Sequence, residues 1–255
     1  MQRGALGGLH ADVITNPGRS GADAGRRQGP VWLASLALFA IVLAVALAAT
    51  SGPGFSRSVT PGLVARYAAK FGPDARARIG AWQQFIRSLA AKRAQHPGND
   101  LQLLGPVNAF FNRLPFLTDQ AHWGVEDYWA TPAEAIASNG ADCEDFSIAK
   151  YFALKELGVP IQRLRITYVK AVSLNRAHMV LAYYPEPNAE PLILDNLMNQ
   201  VKPASERPDL IPVYGFNDDD LAIARPGQPG VSAGSALQVR MWRGLLNKLE
   251  RELRY

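Results

Sequence analysis

Between residues 61 and 157 apolar side chains recur at three- and four-residue steps, and from Leu164 onward they alternate with polar ones, so the chain switches from helix-forming to strand-forming near Pro160. In the first stretch Ile79, Trp82, Phe85, Ile86 and Leu89 share one helical face, and Pro97-Gly98 breaks the run before Leu101. Thr131, Pro132 and Glu134 read as the N-cap, first position and capping carboxylate of a short helix that Asn139-Gly140 ends. Asp142 opens another, which carries Phe146, Ala149, Tyr151, Phe152 and Leu154 to Leu157 before Gly158 and Pro160 stop it. Residues 164–168, 178–184 and 192–195 are short β-prone runs, and the turn chemistry of 185–190 makes an antiparallel hairpin of the last two. A further strand is expected near 211–216. Leu237, Met241, Leu245, Leu249 and Leu253, four apart with Arg and Lys between them, predict a C-terminal helix with one apolar face. Helices followed by a sheet predict an α+β fold, α-rich in its N-terminal half and antiparallel in its sheet.

Ahead of that domain lies a different kind of segment. Residues 1–30 are rich in Gly, Ala and Arg, lack apolar periodicity and read as an unstructured leader ending near Arg26-Arg27. Residues 31–50 carry no charge and match the ~20 residues that a helix needs to cross a bilayer. Basic residues followed by apolar ones form an export signal. Ala46-Leu47-Ala48 offers a small-x-small cleavage site, so 31–50 is either a removed signal peptide or a retained membrane anchor, and both place the rest of the chain outside the cytoplasm. Residues 51–59, with Gly, Pro and Ser, form a linker to a domain spanning 60–255.

Composition excludes several classes. Lys+Arg 27 against Asp+Glu 22 leaves a formal charge of +5 with no dense basic block, which argues against nucleic-acid binding. Neither a GxGxxG nor a Walker-type phosphate loop occurs. The single cysteine, Cys143, rules out an intramolecular disulfide and any zinc site of several thiolates.

Cys143 is therefore either a small buried apolar residue or a nucleophile. Asp142 as N-cap makes it the first residue of its helix, where backbone N–H groups and the helix dipole favour a thiolate. A nucleophilic thiol also needs a base and an orienting partner. Of the four histidines, His10 precedes the apolar segment, His96 adjoins a Pro-Gly break and His122 lies in a loop-like stretch, whereas His178 opens a strand. Asp195 closes the next strand, and in an antiparallel hairpin those positions become neighbours. Cys143, His178 and Asp195 thus read as a catalytic triad for acyl transfer or amide hydrolysis. Taken singly, His178 is also an ordinary strand residue and Asp195 an ordinary turn opener.

The acidic neighbours Asp142, Glu144 and Asp145 oppose a thiolate at Cys143. Either a hard cation such as Ca²⁺ neutralises them, with Asp142 and Glu144 as ligands and Asp145 as a third, or Asp142 and Asp145 simply cap the helix. Asp218-Asp219-Asp220 reads as a solvated turn.

The runs DYWATP at 127–132, GADCEDFSIAKYF at 140–152, AHMVL at 177–181 and LDN at 194–196 together resemble the bacterial transglutaminase-like cysteine peptidases, over roughly residues 60–225. That resemblance implies a papain-like, transglutaminase-type core with Cys143 as nucleophile, His178 as base and Asp195 as orienting acid, and a calcium ion at Asp142 and Glu144. It further implies a periplasmic endopeptidase that cuts the N-terminal retention region of a large RTX-type surface adhesin at a pair of alanines and so releases biofilm. An inner-membrane cyclic-di-GMP receptor of the LapD type would hold such a protease inactive by capturing an exposed tryptophan, carried here to Trp129, with Trp123 second. Two other classes stay open: an acyl transferase that passes the thioester to an amine, and a binding module that keeps the fold without turnover.

Overall fold

The computed structural model describes residues 59–225 and 228–255, so the leader, the segment 31–50 and residues 51–58 of the linker lie outside the described residues. Among the described residues no helix is long and apolar enough to cross a membrane.

Helices come first: α1 (Pro61–Phe71), α2 (Asp74–Gln95), α3 (Leu101–Phe111), the single turn α4 (Asp119–His122), α5 (Pro132–Ser138) and α6 (Cys143–Glu156). Strands follow as β1 (Leu164–Ala171), β2 (Arg176–Tyr183), β3 (Leu192–Asp195), β4 (Met198–Pro203), β5 (Leu210–Phe216), β6 (Leu221–Arg225) and β7 (Gln228–Gly234), before a last helix, α7 (Arg240–Glu252). The strands form one antiparallel sheet in the order β4-β3-β2-β1-β5-β6-β7. This is the α+β architecture that the change of period predicts.

Local chemistry sets the helix ends. Thr60 caps α1 through Oγ1, which accepts from the Leu63 N–H at 3.2 Å. At α5 the capping box is complete, Thr131 Oγ1 accepting from the Glu134 N–H and Glu134 from the Thr131 N–H, both at 3.1 Å. Asn139 then ends the helix in the left-handed region at φ 59°, which Asn tolerates better than most residues.

Helix α6 is the axis of the domain. Every residue from Asp145 to Leu154 is buried, because the helix packs against β1, β2 and β3 on one side and against α3 and α5 on the other. A helix covered on all sides shows no single apolar stripe. Ile79, Trp82, Ile86 and Leu89 of α2 bury as their spacing predicts.

The C-terminal segment differs from expectation. The helix spans only Arg240–Glu252, after a 3-10 turn at Ala236–Gln238, and buries Trp242, Leu245 and Leu249, while Leu237 and Leu253 are exposed. Trp242 displaces the expected stripe because its indole fills an aromatic cluster with Tyr151, Phe152 and Phe216. Asp218 and Asp220 are also less free than a solvated turn implies: Lys155 pairs with Asp218, and Arg165 Nη2 reaches Asp220 Oδ1 at 2.8 Å.

Candidate active site

A cleft of about 470 Å³ opens beside the N-terminus of α6, lined among others by Cys143, His178, Met179, Trp129, Tyr168 and Tyr214. Cys143 is the first residue of α6, and the extended backbone of Asp142 (φ −109°, ψ −166°) delivers it there. Its backbone N–H is among those that a helix leaves without an internal partner. The sulfur borders β2, where the Met179 N–H favours its charged form.

His178 is the third residue of β2 rather than its first, because the strand starts at Arg176. The pairs Leu181↔Leu194 and Tyr183↔Leu192 bring the start of β2 beside the end of β3. His178 Nε2 lies 2.8 Å from Asp195 Oδ1, with both side chains buried. That contact occupies Nε2 and leaves Nδ1 as the ring nitrogen for other work. Oδ1 also accepts from the Leu197 N–H at 3.1 Å, and Oδ2 accepts from Arg207 Nη2 at 2.7 Å. Burial pushes the Asp195 carboxyl up, but His178, the Leu197 N–H and Arg207 outweigh it and hold the group at about 2. Asp195 is therefore an anion throughout the physiological range.

The thiol sits in the opposite field. Burial first, then the carboxylates of Glu144 and Asp142, push the Cys143 thiol up. Glu144 Oε2 accepts a hydrogen bond from Sγ at 2.9 Å, which holds the proton on sulfur. Asp119, Asp142 and Glu144 bring carboxylate oxygens within 4.8 Å of one another. Burial, followed by Glu144, Asp145 and Asp119, raises Asp142 to about 10, and Asp119 rises to about 6, chiefly through burial. Asp142 Oδ1 and Asp119 Oδ1 are buried without a hydrogen-bond partner. The Asp142 side chain makes no capping bond although its backbone occupies the N-cap position, so the capping reading fails for it.

The acidic group differs from the expected one. Asp145 stands outside it, because its Oδ1 accepts from the Ala130 N–H at 2.7 Å and ties α6 to the segment before α5. Asp119 takes its place. One Asp119 oxygen accepts from the Tyr128 N–H at 2.6 Å, which folds residues 119–128 into a loop at the edge of the cleft.

A family profile described as bacterial transglutaminase-like cysteine proteinase BTLCP matches residues 85–209. The solved structure of Legionella pneumophila LapG is 40% identical, over 73% of this chain and 95% of that one, with a TM-score of 0.61. This chain belongs to the bacterial transglutaminase-like cysteine proteinases. Two further structures of the Legionella protein agree: the EGTA-treated form at 40% identity and TM-score 0.62, and the calcium-bound form at 41% identity and TM-score 0.60. They cover 73% of the proteinase and 95% and 97% of the respective chains. Among curated protein sequences none matches. The chain is thus a LapG-type cysteine peptidase with a transglutaminase-like α+β fold.

One expectation for the proteinase is corrected. Trp129 is 5% exposed, and its ring stacks on Phe216 at 5.8 Å, so it is a core residue with an edge on the cleft rather than an exposed anchor for a partner. Trp123 is half-buried, stacked on His122 at 4.3 Å and packed against Tyr128 at 4.6 Å. Sequence reasoning also misses Arg207 and Asp119. Neither belongs to a motif, and only the folded chain beyond β4 brings Arg207 to Asp195.

Proposed function

We propose that this peptidase is a calcium-dependent periplasmic endopeptidase with Cys143 as nucleophile, His178 as base and Asp195 as orienting acid, acting on the N-terminal retention region of a large RTX-type surface adhesin at a di-alanine bond. The observation that carries the assignment is the buried His178–Asp195 contact at 2.8 Å in the cleft that also holds Cys143 at a helix N-terminus.

His178 Nδ1 takes the thiol proton, and the thiolate attacks the scissile carbonyl carbon. Asp195, bonded to Nε2, fixes the tautomer and stabilises the imidazolium. The backbone N–H of Cys143 faces the developing oxyanion, with the dipole of α6 behind it. When the C–N bond breaks, the Nδ1 proton goes to the leaving amine and the acyl group stays on sulfur. Water, deprotonated by the same nitrogen, then releases the carboxylate and restores the thiol.

The acidic group fits a hard cation. Three converging carboxylates, two of them with a buried oxygen lacking any partner, match the all-oxygen sites of Ca²⁺. Asp119, Asp142 and Glu144 would hold the ion, which would supply the positive charge that offsets the field opposing the Cys143 thiolate. The existence of calcium-bound and EGTA-treated forms of the Legionella relative supports the same reading.

Export through residues 31–50 fits a surface substrate. Control by an inner-membrane cyclic-di-GMP receptor of the LapD type is the corresponding regulation, and with Trp129 buried, Trp123 becomes the tryptophan for that contact. The test is chelation and re-addition on an adhesin N-terminal fragment. EGTA and Cys143→Ala should each abolish cleavage, and calcium should restore it only in the wild type. Cleavage that survives both treatments would reject the proposal.

A further inference from the structure

Both carboxylate oxygens of Asp195 and its backbone carbonyl are held. Oδ1 accepts from His178 Nε2 at 2.8 Å and from the Leu197 N–H at 3.1 Å, Oδ2 accepts from Arg207 Nη2 at 2.7 Å, and its backbone carbonyl accepts from Asn112 Nδ2 at 2.9 Å. Arg207, only 3% exposed, is itself clamped: Nε donates to Asp209 Oδ1 at 3.0 Å and Nη2 to Asp209 Oδ2 at 2.9 Å. Asp209 reaches the surface, with its side chain 36% exposed. The charged and titratable groups facing Asp195 are His178 on β2, Lys150 on α6 and Arg207 beyond β4, with Asp209 behind the guanidinium.

A carboxylate turns easily about its last torsion, whose energy profile is broad and two-fold. The Oδ1 contacts alone do not fix its plane, because both converge on one atom. The Oδ2 contact does, and the planar guanidinium is fixed in turn by its two bonds to Asp209. We propose that Arg207 is a positioning residue for the peptidase reaction: it locks the plane of Asp195, so that His178 keeps Nε2 donating and presents Nδ1 to the sulfur. The inference rests on the reading of His178 as the base. Lysine can supply the charge but not the fork, so Arg207→Lys restores only part of the function.

The experiment uses the full chain with calcium bound and the variants Arg207→Met, Arg207→Lys and Asp209→Ala. It reads kcat and KM on an adhesin N-terminal fragment with an Ala-Ala bond, and the His178 tautomer, in a Cys143→Ala background where the ring has no thiol proton to take, by long-range ¹H–¹⁵N NMR assigned with His178→Gln. Arg207→Met should lower kcat by about 10–100-fold with KM changed less than about twofold, the cost typical of losing a group that orients an active-site ligand. The imidazole should pass from a single Nε2–H tautomer to a mixture. Arg207→Lys and Asp209→Ala should fall between wild type and Arg207→Met in both readouts. An unchanged tautomer in Arg207→Met overturns the proposal. If that variant does not fold, Asp209→Ala decides: a tautomer mixture supports the proposal and a wild-type signature overturns it. Cys143→Ala measured alongside separates the two claims, since cleavage by that variant would sink the peptidase assignment while the NMR signature still judges Arg207.

Discussion

Replacing Asp142 by Asn removes one titratable carboxyl from the acidic group and keeps the shape of the side chain. The Asp142 carboxyl, ordinarily at 3.8, is raised to about 10 in the folded protein without a cation, through burial and then the carboxylates of Glu144, Asp145 and Asp119. A carboxyl raised on folding contributes stability that is fully present below the unfolded value and is lost as pH rises towards the folded one. At neutral pH the unfolded chain has released a proton that the folded cluster still holds, a gap of roughly three pH steps at about 1.4 kcal/mol each and hence a ceiling of about 4 kcal/mol. Because Asp142 titrates together with the rest of the acidic group, this is an upper bound for the single residue. Asn at 142 carries no such cost. Urea denaturation in EGTA should therefore find Asp142→Asn more stable than wild type by as much as about 4 kcal/mol at neutral pH, with the difference gone below about pH 3, where the unfolded carboxyl is protonated too. Calcium should stabilise the wild type and much less so the variant. A variant no more stable than wild type in EGTA at neutral pH, or a difference that does not shrink on acidification, would refute the electrostatic argument.

Three other outcomes follow from the geometry. A Cβ at Gly140 would run into the His122 ring and, at 2.5 Å, into Leu117 Cδ1, so Gly140→Ala should displace α4 with Asp119 and weaken calcium affinity at least tenfold by titration calorimetry, about 1.4 kcal/mol. Trp242→Ala, at a fully buried indole packed on Tyr151, Phe152 and Phe216, should cost about 3–5 kcal/mol in urea unfolding, and a loss under about 1 kcal/mol would contradict the packing account. Mass spectrometry of the cleaved adhesin fragment should find a free carboxylate at the new C-terminus, and an amine adduct there would favour acyl transfer.

Local chemistry made much of this protein legible in advance. The period change at Pro160, the capping box at Thr131 and the helix start at Asp142 each depend on residues within a few positions of one another, and all three appear in the structure. The approach of His178 to Asp195 was readable because an antiparallel hairpin brings the start of one strand beside the end of the next. Longer-range features were not. Asp119 joins the acidic group from a single-turn helix whose place is set by a bond to the Tyr128 N–H, and no periodicity marks it. Arg207 follows β4, an edge strand of Met198–Pro203 without clear alternation. Strand β7, QPGVSAG, carries a proline and two glycines and forms by pairing with β6 rather than by propensity. The burial of Trp129 depends on Phe216, which sequence distance hides.

The most direct measurement is the rate at which iodoacetamide alkylates Cys143, the only sulfhydryl in the chain, at neutral pH with and without calcium. Modification should be rapid when calcium is bound and fall at least about tenfold in EGTA or in the calcium-loaded His178→Ala variant, because only the thiolate reacts. Equal rates with calcium and with EGTA, together with an unaffected His178→Ala variant, would contradict that expectation.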